Sequence, residues 1–154
     1  MKKENLTDLI KNIVSEAIKL KDKYTDEKRS PVNYVAVFSH SKKEYKNFSA
    51  TAETLSKAVQ KTSTGTIYIL RKPVETNAGK LQIVKVRKPD TSRPEMGDAD
   101  FTVNYDAFKK KYAKKKGFQV VVSSLGVEMI ELSEKCASIR CYFSQTPVIE
   151  KIGV

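Results

Sequence analysis

Residues 32–39, VNYVAVFS, constrain the fold of this chain more than any other stretch. The run is apolar almost without interruption, rich in valine and aromatics, and bounded by Pro31 and by Ser39-His40-Ser41. A strand with one face in water alternates apolar with polar residues, whereas a strand covered on both faces does not. The run therefore reads as a buried, central strand. Whatever else the chain forms must supply cover for both of its faces.

The sequence on either side supplies candidates. Over residues 5–24, Leu6, Leu9, Ile10, Ile13, Ala17 and Leu20 recur at spacings of three and four, and Val14 and Ile18 widen the same helical face. Pro31 disfavours helical geometry at Ser30, so residues 1–30 read as a helix and linker outside the domain that follows. So wide an apolar face suits packing on that domain or pairing with a second copy. After the central strand, Ser41-Lys42-Lys43-Glu44 matches a capping box. Tyr45, Phe48, Ala52, Leu55 and Val59 continue it as a helix, which Thr62-Ser63-Thr64-Gly65 ends. TIYILR (66–71) and KLQIVKVR (80–87) read as strands about a turn at Asn77-Ala78-Gly79.

RKPDTSRPEMGDADF (87–101) comes next. Pro89 and Pro94 cannot donate to a sheet ladder, so its middle is a loop. Strand character returns at DADFTV (98–103). Asn104 is a good N-cap for YDAFKKKYAKKK, and Gly117 a natural residue beyond its end. FQVVVSS (118–124), VEMIEL (127–132) and ASIRCYFSQ (137–145) read as three strands in a row, and TPVIEKIGV as an irregular or edge segment.

The fold class is therefore α+β. Two βα(β)n modules, about 31–90 and 98–145, form a mostly antiparallel sheet in one domain, 31–154. The order reads β-α-β-β and then β-α-β-β-β, which leaves the first module a strand short unless residues 72–79 supply it. A ferredoxin-like arrangement of the same elements is the alternative.

Composition narrows the function classes. No apolar run approaches a membrane span, and MKKENLTDLI has no apolar signal core, so a cytoplasmic protein without a membrane partner is expected. Cys136 and Cys141 do not make a zinc half-site, and free thiols are expected, with Cys141 on an inward strand face. There is no P-loop and no G-x-G-x-x-G, and no cofactor is expected. With one histidine, no nucleophile-and-base pair stands out, so the enzyme question stays open and leans to no.

The net charge is +11, and its densest patch is 102–117, with six bases against one acid. Lys109, Lys110, Lys111, Lys114, Lys115 and Lys116, with Arg93, form a candidate anion-binding set for nucleic acid or another polyanion, and Tyr68 and Tyr142 could stack bases. The competing reading is a solvated basic face with lysines complementing a helix dipole. Asp98 and Asp100 are one residue apart and share a strand face. Carboxylates that close raise each other's proton affinity, and this suits a general acid or a cation site. Pairing with Arg87, Lys88 or Arg93 in a surface loop is the plainer alternative.

YVAVFSHSKKEYKNF and DADFTVNYDAFKKKY resemble the starts of the two modules of the glyoxalase-like (vicinal oxygen chelate) superfamily, and VEMIEL resembles a strand such proteins carry. The resemblance covers roughly residues 31–145. It implies paired βαβββ modules and a metal held by His, Glu or Gln side chains from both. The corresponding positions here are Tyr34, Asp98 or Asp100, and Glu128 or Glu131. His40 falls beside a helix cap instead, so no metal is expected.

Three functions follow from these readings. The first is a non-catalytic basic protein that binds an anionic ligand or nucleic acid. The second is a glyoxalase-like small-molecule-binding or metal-assisted enzyme with its site around Asp98, Asp100, Glu128 and Arg87. The third is an oligomeric scaffold joined through the N-terminal helix.

Overall fold

The computed structural model describes residues 3–145 and 147–152. Its elements are α1 (Lys3–Tyr24), β1 (Val32–Phe38), α2 (Lys42–Leu55), β2 (Ser56–Thr62), β3 (Gly65–Thr76), β4 (Gly79–Arg87), β5 (Gly97–Thr102), α3 (Tyr105–Tyr112), β6 (Phe118–Val122), β7 (Glu128–Leu132), β8 (Ile139–Ser144) and α4 (Val148–Lys151). The strands make one eight-stranded mixed sheet in the order β2-β3-β4-β1-β5-β8-β7-β6. The fold is α+β, and no helix among the described residues is long and apolar enough to cross a membrane.

VNYVAVF is central. β1 pairs in parallel with β4 and antiparallel with β5. In the second module β5 pairs in parallel with β8, as β1 does with β4. Each module is therefore a βαβββ unit whose first and last strands are neighbours, and the two units meet along β1 and β5. The strand missing from the sequence reading is β2, not residues 72–79. The helix ends at Leu55, four residues before Val59, and the chain enters β2 at Ser56 with no linker. Residues 72–76 instead prolong β3, past a register shift between Ile69 and Val74 that accommodates Pro73. The C-terminal segment also differs from expectation: residues 148–151 form the short helix α4.

The helix caps follow the sequence. Glu44 N–H donates to Ser41 Oγ at 3.0 Å, and Ala107 N–H to Asn104 Oδ1 at 3.4 Å. The Glu44 carboxylate accepts from His40 N–H at 2.9 Å. Both cysteines are free, Cys141 buried and Cys136 exposed.

The two faces of the sheet have different fates. Val35, Val37, Val84, Val86, Ala99, Phe101, Ile130, Leu132, Cys141 and Phe143 join one core with the helices. α1 lies in this layer: Leu6, Ile10, Ile13, Val14, Ala17 and Leu20 are all buried. Small residues bring it close to the sheet. A Cβ on Gly97 would stand 2.7 Å from Ile13 Cδ1 and 2.3 Å from Ala36 O. Cys141 Sγ reaches Ala17 O at 3.2 Å. The apolar face of α1 is thus occupied by its own sheet. Of the two uses that the sequence left open for this face, packing on the domain is the one observed.

Candidate functional site

The opposite face of the sheet carries polar and charged side chains, and it lines a cavity of about 510 Å³. The strand register puts them in rows. Lys85, Ala36, Asp98 and Arg140 are successive partners across β4, β1, β5 and β8. Tyr34, Asp100, Tyr142 and Glu131 form the next row across β1, β5, β8 and β7. Arg87 stands opposite Phe38 at the end of the β1–β4 ladder. Arg93 arrives from the crossover loop between β4 and β5, so each module and the link between them supply groups. Ile67, Val121, Val122, Leu125, Met129 and Val148 give the cavity apolar walls.

Part of this polar set is internally satisfied. Arg140 contacts Glu95 Oε2 at 2.5 Å and Glu131 Oε2 at 3.6 Å. Tyr142 Oη donates to Glu131 Oε2 at 2.6 Å and accepts from Arg93 Nη1 at 3.1 Å. Ser144 Oγ contacts both oxygens of Asp100, at 3.0 and 2.8 Å.

The cations are less closely matched by opposite charge. Lys85, 2% exposed, donates to two neutral hydroxyls, Thr64 Oγ1 at 2.6 Å and Ser124 Oγ at 3.3 Å. These sit on the β2–β3 and β6–β7 turns, so one ammonium ties the tips of the two modules together. Arg87 and Arg93 reach Asp90 only at 3.8 and 3.7 Å, and both guanidinium groups lie near the Phe38 ring. Asp98 Oδ1 and Arg87 Nε are buried and have no hydrogen-bond partner.

The electrostatics follow from burial. Asp98 is pushed up to about 7, mainly because burial penalises the carboxylate; Arg93, Arg87 and Lys85 pull the other way, and Asp100 adds to the rise. Lys85 is lowered to about 8, first by burial and then by Arg87. Burial also lowers Arg87, helped by Arg93, and holds the Tyr34 phenol well above its ordinary value.

The candidates from sequence separate clearly. Asp98, Asp100, Arg87 and Arg93 line one cavity. They do not form a surface-loop ion-pair set, because Asp98 is 4% and Asp100 1% exposed. Glu128 does not join them. It is exposed, accepting from Tyr105 Oη at 2.5 Å and Lys109 Nζ at 2.8 Å, while Glu131, three residues further along the strand, lines the cavity. Strand alternation makes this necessary: three residues apart on β7 means opposite faces. The lysines of α3 and the turn after it lie elsewhere. Lys109 pairs with Glu128 and Lys111 with Asp26 at 3.2 Å, while Lys110, Lys114, Lys115 and Lys116 are exposed. Tyr68 is buried against the helices and cannot stack a base.

Sequence reasoning missed Lys85 and its partners Thr64 and Ser124, the Arg140–Glu95 pair, and Ser144 beside Asp100. Lys85 sits in IVKVR, where alternation with Arg87 puts both on the face of Ile83 rather than of Val84. That signal was present in the sequence.

The side chains do not fit a resident metal. Among the described residues no group of three or more His, Cys, Asp or Glu is placed to hold one. Three cations surround Asp98, and the first-strand position carries a phenol, Tyr34. His40 is exposed, held by Glu44 Oε1 at 3.1 Å and Glu95 O at 2.7 Å.

No family model matches this chain, and no curated protein does. A solved structural-genomics protein, EC4020, superposes with a TM-score of 0.72 over 97% of this chain and 90% of its own, at 10% sequence identity. At that identity the likeness shows a shared fold.

Proposed function

We propose that the protein binds a small amphipathic organic anion in the cup between its two modules, without a metal. One observation carries this reading: Lys85, whose partners are two neutral hydroxyls, lines a cavity with Arg87 and Arg93, which reach the Asp90 carboxylate only at 3.8 and 3.7 Å, beside an apolar wall. Cavities of a few hundred cubic ångströms with apolar walls and a few convergent polar groups are the usual form of small-molecule sites. Lys85 and the two arginines would take the anionic head. Val121, Leu125, Met129 and Ile67 would cover the body.

The strand order supports a second element of the proposal. Paired βαβββ units are the arrangement that the glyoxalase-like resemblance implies, and on this reading the chain is a member of that superfamily without its metal ligands. A nucleic-acid ligand finds less support, because the α3 lysines are partly neutralised by Glu128 and Asp26 and lie away from the cup.

Isothermal titration with hexanoate tests the reading, since this acid has an anionic head and an aliphatic body. Wild-type protein should bind it, and Arg87→Met and Lys85→Met should each weaken binding about tenfold or more. Equal binding by both variants and wild type would place the anion elsewhere and overturn the proposal.

A further inference from the structure

Two side chains that line the cup, an acceptor and a donor, each hold a polar atom without a hydrogen-bond partner. Asp98 Oδ1 is a buried acceptor with no donor, and Arg87 Nε is a buried donor with no acceptor. Buried polar atoms are almost always paired, by protein, water or ligand. Both side chains line the same cavity, and no ion-pair contact joins them. A ligand in that cavity is therefore best matched if it accepts from the arginine and donates to the aspartate.

The surrounding charges narrow what that group can be. Lys85 and Arg93 stand on the Arg87 side of the balance, so the acceptor is best an anion. The donor must be neutral. An ammonium would add a fourth cation beside Lys85, Arg87 and Arg93. A second acid on the ligand would face Asp98 with Asp100 behind it. The head must also be compact, because Lys85 and Asp98 flank Ala36 on adjacent strands and both reach inward over it. About 10 Å separates their Cα positions at ordinary strand spacing, and the side chains close most of that gap.

We infer that the ligand is a 2-hydroxy carboxylic acid with an apolar body. Its carboxylate sits on the Arg87 guanidinium beside Lys85 or Arg93, and its hydroxyl donates to the Asp98 carboxylate. This inference rests on the anion reading above and adds the donor. It also assigns Asp98 as the residue that discriminates hydroxy acids from plain ones. A site built to receive a hydroxyl rejects the analogue lacking it, because the buried acceptor is then left bare.

The test compares hexanoate, 2-hydroxyhexanoate and 2-methoxyhexanoate by calorimetric titration of the full chain at mildly alkaline pH. Wild-type protein should bind the hydroxy acid about tenfold more tightly than hexanoate. The methoxy acid keeps the oxygen but loses the donor, and should bind no better than hexanoate. Asp98→Ala should bind hexanoate and 2-hydroxyhexanoate alike. Asp98→Asn retains an acceptor oxygen and should keep part of the preference. The wild-type comparison needs no variant, so it holds if Asp98→Ala does not fold. Equal wild-type affinity for hexanoate and 2-hydroxyhexanoate would overturn the hydroxyl assignment and leave the anion reading standing. So would a preference that survives Asp98→Ala. Failure of all three acids to bind at millimolar concentration would overturn both.

Discussion

Replacing Asp98 by asparagine should stabilise the protein above neutral pH and leave its stability in acid unchanged. Asp98 is 4% exposed, and burial raises its proton affinity from an ordinary 3.8 to about 7. The native state therefore holds this proton more tightly than the unfolded chain does. Stability linked to Asp98 is complete below about pH 4 and is lost as the pH rises to about 7. A separation of about three pH units corresponds to roughly 4 kcal/mol at pH 8, at about 1.36 kcal/mol each. Asparagine has nearly the same shape and no charge to desolvate, so Asp98→Asn should recover much of that amount. For a chain of this size the gain is about 10 °C in melting temperature. Urea unfolding of both proteins from about pH 4 to about pH 8 reads the effect directly. The two curves should coincide at the acid end and diverge through the interval. Parallel curves, or a variant less stable at pH 8, would show that Asp98 ionises normally and is not held in a dry, underpaired site.

Lys85 should show the opposite sign. Its ammonium is lowered to about 8, so the native state gives up this proton more readily than the unfolded chain. Stability should rise between about pH 8 and pH 10.5 by up to roughly 3 kcal/mol, and Lys85→Met should flatten that rise in the same unfolding assay. Gly97→Ala should destabilise by roughly 1–3 kcal/mol, because its Cβ would meet Ala36 O at 2.3 Å and Ile13 Cδ1 at 2.7 Å. Ile13→Ala should cost about 2–5 kcal/mol by thermal unfolding, as a fully buried side chain between α1 and the sheet. A cost near zero would mean that α1 is an appendage rather than part of the core.

The sequence was legible where one signal dominated. VNYVAVF could only be a strand covered on both sides, and it is the one on which the two modules meet. Asp98 and Asp100 had to share a face, and the alternating Ala99 and Phe101 fixed which face was the core. β2 was hidden because Val59 extends the spacing of Leu55 and Ala52, and no Gly or Pro separates helix from strand. Tertiary pairing of SKAVQKT with β3 decides its state, and local pattern does not. Lys85 was overlooked because a lysine among valines reads as an exposed position on an edge. β4 is in fact interior, between β3 and β1, and its polar face looks into the cup. RKPDTSRPEMGDADF spans the link between the modules and contributes to the cavity lining. Its prolines lie in the crossover between modules, and Arg87, Arg93, Asp98 and Asp100 from the same stretch converge on the cavity.

The central claim is that the cup, and not the α3 lysine surface, is where this protein takes an anion. Titrating hexanoate into isotope-labelled protein and mapping the amide shifts tests it most directly. The account expects saturable shifts at Ala36, Lys85, Arg87, Asp98 and Ser124, with residues 109–116 unmoved. Shifts confined to residues 109–116, weakening as salt is added, would contradict it.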